Sequence, residues 1–291
     1  MTTPSVSFEF FPPKTLEASF RLWDTVRALG PLGPSFVSVT YGAGGTTREL
    51  TREAVETLHK ASGLNVAAHL TCVDASRAET LDIARGFARA GVREIVALRG
   101  DPPKGTGRFT PHHEGFSNSC DLVSALADTG RFDTIRVGAY PERHPEAADD
   151  GADIDWLKRK IDAGANEAIT QFFFEAETFL RFRDRCAKAG IEAPVHPGIL
   201  PIENWAGARK FARGCGASIP AWLADAFDRA KRDGEGRVDL LAIAVATELC
   251  GKLVEEGVEH LHFYTLNRPD LTRDICHALG LRARAELRDV A

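Results

Sequence analysis

Glu9 lies in Val6-Ser7-Phe8-Glu9-Phe10-Phe11, a short apolar run closed by Pro12-Pro13. The run reads as a β-strand, because the prolines that follow it cannot extend a ladder. Alternation along a strand puts Ser7, Glu9 and Phe11 on one face and Val6, Phe8 and Phe10 on the other. This reading holds Glu9 among phenylalanines at the end of an inner strand. Burial there favours the neutral acid over the carboxylate, and an acid still protonated near neutral pH is what general acid catalysis needs. The competing reading is a solvated strand-end carboxylate paired with Lys14.

The same pattern recurs along the chain. Candidate strands Phe36–Tyr41, Val66–Thr71, Glu94–Leu98, Ile135–Ala139, Ala168–Phe174, Val195–Ile199 and Leu261–Tyr264 are apolar along their length. At or just past their ends stand Thr40, His69 with Thr71, Arg99-Gly100-Asp101, Tyr140 with His144, Gln171, His196-Pro197-Gly198, and Tyr264 with Asn267-Arg268. One polar strand end is ordinary, but eight on one rim make a site. Taken singly, His69 reads as a structural histidine, Gln171 as a loop tie and Arg99 with Asp101 as a salt bridge. Lys158-Arg159-Lys160 reads as a solvated helix face. His112-His113 has no third ligand at metal spacing and no HExxH or cysteine cluster occurs, which argues against a zinc hydrolase. No serine sits in a G-x-S-x-G turn, and no cysteine has an adjacent base that the sequence identifies.

Helical segments must position these groups. Thr46-Thr47-Arg48-Glu49 and Ser76-Arg77-Ala78-Glu79 both fit a capping box, and Leu50, Ala54, Val55 and Leu58 follow the first with helical spacing. Further helices are expected at Leu16–Leu29, Asp153–Ala163, Glu177–Ala189, Glu203–Arg213, Pro220–Arg232, Asp239–Glu256 and Pro269–Leu279. Eight strands alternating with helices, without a composition break, predict an α/β fold: one (β/α)8 TIM barrel spanning residues 1–291 as a single domain. A doubly wound sheet would need a glycine-rich phosphate turn after the first strand, where Pro12-Pro13-Lys14 stands instead. Gly42-Ala43-Gly44-Gly45 misses that spacing and reads as a βα loop.

Composition sets the remaining bounds. The 291 residues are 44% hydrophobic and 26% charged, enough for one large core, and the net charge of -5 gives no reason to expect nucleic acid or an anionic membrane as partner. Met1-Thr2-Thr3-Pro4 does not read as a signal peptide, and no apolar run approaches the roughly 20 residues of a membrane span. Six scattered cysteines without a CxxC pair suit reduced thiols. A soluble, cytoplasmic globular protein is expected.

Several motifs resemble the methylenetetrahydrofolate reductase family. They are Ser7-Phe8-Glu9-Phe10-Phe11-Pro12-Pro13, Phe36-Val37-Ser38-Val39-Thr40-Tyr41-Gly42, His69-Leu70-Thr71-Cys72 and Ala97-Leu98-Arg99-Gly100-Asp101. Ala139-Tyr140-Pro141-Glu142-Arg143-His144-Pro145-Glu146, Asp162-Ala163-Gly164-Ala165-Asn166 and Ile169-Thr170-Gln171-Phe172-Phe173-Phe174 continue the series. Pro197-Gly198-Ile199-Leu200-Pro201 and Phe263-Tyr264-Thr265-Leu266-Asn267-Arg268 complete it, in order over nearly the whole chain. The resemblance implies a compact, bacterial-type barrel with non-covalent FAD that interconverts 5,10-methylenetetrahydrofolate and 5-methyltetrahydrofolate. NADH or NADPH would be the co-substrate.

By that resemblance Glu9 matches the general acid that helps open the folate five-membered ring. Asp101 matches a carboxylate between flavin and pterin, which disfavours the anionic reduced flavin and can accept from the pterin. Gln171 matches a pterin-binding amide. Phe211 matches an aromatic over the shared nicotinamide and folate position, and Arg268 lies where the folate tail is expected. Thr40, His69, Arg99, Gly100, Tyr140, His144, Asp153 and Lys160 match FAD contacts, and a lysine beside a pyrophosphate is a charge-assisted pairing.

The chain departs from the family pattern in two places. The loop Gly105–Ser119 looks longer than in compact relatives, with Asn118-Ser119 where many carry Tyr-Ala beside the cofactor. The chain also stops near the end of the barrel, so no regulatory domain and no inhibition by S-adenosylmethionine are expected. Rival readings are a 5-methyltetrahydrofolate oxidase with weak nicotinamide use, and a flavin- or folate-binding barrel without turnover. Physiological direction, the choice of nicotinamide and a homo-oligomeric state stay open at the level of sequence.

Overall fold

The computed structural model describes residues 3–42, 47–101 and 109–283, without the side chains of 233, 235 and 236. Residues 43–45 of the expected glycine-rich loop, Thr46 of the first expected capping box, and residues 102–108, which include the start of the expected long loop, lie outside the described residues.

Strands β1 (Ser5–Phe10), β2 (Phe36–Val39), β3 (Val66–Thr71), β4 (Glu94–Leu98), β5 (Thr134–Ala139), β6 (Glu167–Thr170), β7 (Val195–His196), β8 (Gly198–Ile199) and β9 (His260–Tyr264) form one sheet. Every pairing is parallel. β7 pairs with β6 and β8 with β9, with only Pro197 between them. They are one strand broken where proline cannot donate, and the sheet closes through it into an eight-stranded barrel. Gly198 sets that closure: a Cβ there would meet the Thr170 carbonyl oxygen at 2.2 Å and the Tyr264 ring at 2.6 Å.

The alternation expected of β1 holds. Val6, Phe8 and Phe10 point outward into a buried shell shared with Leu22, Val26 and Leu29 of α1 (Leu16–Leu29). Inward-facing Phe36, Ala67, Val96 and Ile169 form a separate cluster within the barrel. Helices α2 (Arg48–Ser62), α3 (Arg77–Arg89), α4 (Ser119–Asp128), α5 (Ala152–Asp162) and α6 (Ala176–Lys188) connect successive strands, as α1 does. Three helices, α7 (Trp205–Cys215), α8 (Ala221–Asp233) and α9 (Glu235–Glu255), precede β9, and α10 (Pro269–Ala278) follows it. No helix among the described residues is long and apolar enough to cross a membrane.

The expected capping box at Ser76 forms, with Ser76 Oγ accepting from the Glu79 amide and Glu79 Oε2 from the Ser76 amide. The N-cap of α2 is Thr47, whose hydroxyl accepts from the Gly42 amide at 2.6 Å and lies 3.2 Å from Thr51 Oγ1. Helix α4 was not foreseen. It begins on Asn118, whose Oδ1 accepts from the amides of Cys120 and Asp121. Asn118 therefore serves as a helix cap.

Candidate active site

Glu9 is the penultimate residue of β1 and points into the barrel, its side chain 15% exposed. Its ionisable partners are two histidines, not Lys14. Oε2 lies 3.4 Å from His69 Nε2 on β3 and 3.7 Å from His262 Nε2 on β9. Neither nitrogen has a hydrogen-bond partner among the described residues. The parallel register explains the company: Ser7 pairs with His262 and Glu9 with Tyr264, so alternate residues of β9 meet the inward face of β1. Burial raises the Glu9 pKa, partly opposed by attraction to His69. Burial lowers that of His69, partly opposed by Glu9 and reinforced by His262. Burial therefore disfavours the charged form of each.

The turn after β9 fixes the main chain of Glu9. Thr265 Oγ1 donates to the Glu9 carbonyl at 2.6 Å. Asn267 takes the Phe11 amide on Oδ1 at 2.8 Å and gives Nδ2 to the Phe11 carbonyl at 2.9 Å. To do so Leu266 and Asn267 adopt φ of 51° and 53°, the left-handed region that asparagine tolerates better than most residues.

The remaining expected residues sit at or beyond the carboxyl ends of the strands, as a barrel site requires. Thr40 follows β2, with its amide on the Phe10 carbonyl at 2.9 Å. Gly100 bends the chain between Arg99 and Asp101 at φ 87°, and a Cβ there would meet Val73 Cγ1 at 2.7 Å. Arg99 pairs with Glu146 at 2.7 Å and covers the Phe109 ring. Asp101 is exposed. Burial, then the charge of Asp101, pushes the Tyr140 hydroxyl up to about 12. The Tyr140 ring meets His144 edge-on at 4.6 Å, and the His144 amide donates to Asp153 Oδ2 at 3.0 Å.

Lys160 is not on a solvated helix face. It is buried, its Nζ donates to the Gly138 carbonyl, and burial lowers its pKa to about 8. Thr71 Oγ1, buried beside the Gly100 bend, has no hydrogen-bond partner among the described residues. A buried cation resting on a neutral carbonyl, and an unpartnered hydroxyl, both fit an anionic, hydrogen-bonding group such as a pyrophosphate-bearing cofactor.

Gln171 leaves β6 with its Oε1 accepting from the Phe172 amide at 3.0 Å. Phe211 of α7 is 44% exposed, with its ring 5.1 Å from that of Phe172. Phe172 also meets the edge of Tyr264 at 6.5 Å, linking Phe211 to the barrel interior. Arg268 pairs with Glu203 at 3.1 Å and is otherwise exposed.

His196 does not join this rim. It lies in a polar layer at the amino-terminal end of the barrel, with Nε2 3.4 Å from Glu167 Oε2 and its ring 4.4 Å from His260. Arg136 in that layer binds Glu94 and Glu167 and lies 3.6 Å over the Phe36 ring. A cavity of about 460 Å³ opens there, lined by Ser5, Arg136, Glu167, His196 and His260. Sequence reasoning placed Ser7 on the face of Glu9 but missed His262 beside it. Period-two alternation in Leu261-His262-Phe263-Tyr264 carried the signal, but only cross-strand register turns it into a contact.

A family model described as methylenetetrahydrofolate reductase matches residues 1–280. The chain is 48% identical over 278 residues to the 5,10-methylenetetrahydrofolate reductase of Escherichia coli K12, covering 96% of this chain and 91% of that protein. It is 44% identical over 275 residues to that of Buchnera aphidicola subsp. Schizaphis graminum, covering 94% and 91%. It is also 38% identical over 286 residues to methylenetetrahydrofolate reductase (NADH) 1 of Arabidopsis thaliana, covering 94% of this chain and 48% of that one. Among solved structures, a Clostridium thermocellum protein described as binding two copies of 5-methyl-5,6,7,8-tetrahydrofolic acid superposes with a TM-score of 0.60 at 14% identity. The match covers 96% of this chain and 95% of that one, a likeness of fold. With a matching family model over residues 1–280 and close to half its residues shared with reductases of nearly the same length, the chain belongs to the methylenetetrahydrofolate reductase family.

Proposed function

We propose that this protein is a methylenetetrahydrofolate reductase that uses FAD, with NADH or NADPH as hydride source. The observation that carries the reading is the buried Glu9, beside two histidines inside the barrel of a chain that belongs to this family. Bound FAD would accept hydride from the nicotinamide and pass it to the folate one-carbon unit. Lys160, Arg99 and His144 would hold its pyrophosphate, and Tyr140, Thr40 and Asp153 would shape its surroundings. Glu9 would protonate the departing folate nitrogen as the five-membered ring opens, giving the iminium that is reduced. Gln171 would accept and donate at the pterin edge, Phe211 would cover the exposed side of the substrate, and Arg268 would meet the carboxylates of the folate tail. Asp101 would accept from the pterin and set the local potential.

The test separates the two half-reactions on flavin-replete protein. In Glu9→Gln, reduction of the flavin by NADH or NADPH should stay within a few-fold of the parent, because nicotinamide hydride transfer needs no protein acid. Reoxidation by 5,10-methylenetetrahydrofolate should fall by about 10²–10⁴-fold, the contribution of a positioned general acid. Equal loss in both, or loss in neither, would remove Glu9 from this role.

A further inference from the structure

The loop after β5 and the carboxyl end of α7 meet through one carboxylate. Glu142 accepts from the Ser218 amide on both of its oxygens, at 3.0 Å and 3.1 Å, and its Oε1 also takes the Ser218 hydroxyl. Ser218 lies just past Gly216, the C-cap of α7. Gly216 adopts φ 77°, and a Cβ there would meet the Arg143 carbonyl oxygen at 2.9 Å and Pro145 Cδ at 3.1 Å. Glycine is needed for the left-handed turn and for the close approach together. The end of α7 thus rests directly on residues 140–145. It also reaches over the rim, since burial and then the charge of Asp101 push the Cys215 thiol up to about 11.

We propose that Glu142 is a positioning residue: through Ser218 it ties α7 to the loop that meets the cofactor, so that binding of FAD sets Phe211 over the substrate position. The inference rests on the placement of FAD and of Phe211 proposed above.

The loop is stiff enough to act as a mount. Arg143 Nη2 donates to the carbonyls of Ala147 and Ala148 at 2.9 Å and 3.0 Å, and the His144 amide is held by Asp153 of α5. The other end of α7 is fixed independently. Trp205 stacks on Phe227 of α8 at 4.8 Å, and its Nε1–H donates to Asp228 Oδ1 at 2.9 Å. Phe211 lies between these two anchors, about one helical turn before Cys215, with its ring against Phe172. The α8 anchor alone leaves α7 free to pivot, and the Glu142 bonds remove that freedom at the end nearest Tyr140.

A charged acceptor facing an amide and a hydroxyl of one residue fixes direction as well as distance. The contact is open to solvent, so it contributes little to global stability. Its effect is local. With FAD held by Arg99, His144 and Lys160, residues 140–145 lose freedom, and a helix tied to them loses freedom as well. A ligand that then enters beneath Phe211 no longer has to order α7 itself. The result is positive coupling between the cofactor and substrate positions, carried by shared rigidity and not by a new contact at either.

Hydrogen–deuterium exchange of the full-length protein, flavin-free and loaded with FAD, tests this without turnover. In the parent, FAD should slow amide exchange in residues 140–153 and also in α7, which supplies none of the residues proposed to hold FAD. In Glu142→Ala the protection of residues 140–153 should remain while that of α7 is lost. Glu142→Gln keeps one acceptor oxygen for Ser218 and should restore part of it. In steady-state turnover, Glu142→Ala should raise KM for 5,10-methylenetetrahydrofolate by about 5-fold or more, the lower end of a typical coupling between sites, with kcat nearly unchanged. Its midpoint in urea should stay close to that of the parent. Exchange in α7 that ignores FAD in the parent, or is slowed equally in Glu142→Ala, would overturn the tie. So would a variant that is merely less stable, with KM unchanged. Protection of residues 140–153 without α7 removes the tie alone, whereas no protection of either removes the cofactor placement together with it.

Discussion

His69 Nε2 stands 3.4 Å from Oε2 of Glu9 with both side chains nearly buried, yet burial outweighs their attraction and shifts each toward its neutral form. The consequence is a pH-dependent stability whose sign follows from Glu9. Its folded pKa lies above the ordinary value of 4.5, so between the two the folded state keeps a proton that the unfolded state has lost. Stability then falls as pH rises through that window. Glu9→Gln should remove this fall. The variant should match the parent in strongly acidic solution and exceed it at neutral pH, in urea unfolding followed across a pH series. A variant less stable than the parent at neutral pH would mean that the carboxylate is favourably held.

Lys160 has the opposite sign and a distinct window. Its folded pKa of about 8 lies below the ordinary 10.5, so above pH 8 the folded state sheds a proton that the unfolded state keeps. The cost of burying the charge is fully present below about 8 and recedes as pH rises toward 10.5. Lys160→Met should therefore stabilise the flavin-free protein at neutral pH and flatten that rise. If Lys160 neutralises a pyrophosphate, the same variant should weaken FAD binding by about 1.5–3 kcal/mol, roughly 10- to 150-fold in Kd. Equilibrium titration with FAD reads this directly, and a variant that is stabilised but binds FAD unchanged would remove Lys160 from the cofactor site.

The contrast between Glu9 and Lys160 shows what the sequence could reveal. Local pattern places Glu9 and Ser7 on one face of β1 and Phe8 and Phe10 on the other, and the structure agrees. The Ser76–Glu79 cap and most helices are legible for the same reason: each is a matter of a few neighbouring residues. What was not legible depends on register between distant segments. The histidines beside Glu9 come from β3 and β9, and no spacing within Val6–Phe11 announces them. Lys160 in Lys158-Arg159-Lys160 looks like a solvated charge until the helix is docked on β5, which turns one of the three cations inward. His196 reads as a rim residue because Val195–Ile199 reads as one strand ending there; in the structure it lies in the floor layer with Glu167 and His260, ahead of the break at Pro197.

Asn267 couples the end of β9 to the segment after Glu9 through two hydrogen bonds to Phe11. Its loss strands a backbone amide and carbonyl, and alanine also resists φ near 53°. Asn267→Ala should destabilise the protein by about 1–3 kcal/mol, the cost of unpairing such groups. Asn267→Gly should recover the conformational part alone and remain less stable than the parent. Urea unfolding of both separates the two contributions. Equal stability of Asn267→Gly and the parent would show that the turn needs only its backbone conformation.

Asp101 follows the Gly100 bend, exposed at the rim and close enough for its charge to raise the Tyr140 hydroxyl. If the flavin ring lies against this carboxylate, the negative charge opposes added electron density and keeps the bound flavin a strong hydride donor. Asp101→Asn removes the charge while keeping the size and an acceptor oxygen. The flavin midpoint potential should rise, reduction by nicotinamide should become easier at equilibrium, and hydride delivery to 5,10-methylenetetrahydrofolate should slow. Tyr140 gives an independent check, since its hydroxyl should titrate at lower pH once the neighbouring charge is gone. A potential that stays level or falls while Tyr140 shifts would place Asp101 beside Tyr140 but away from the flavin ring. Its part would then be limited to holding the pterin, and slower folate reduction would appear as weaker binding.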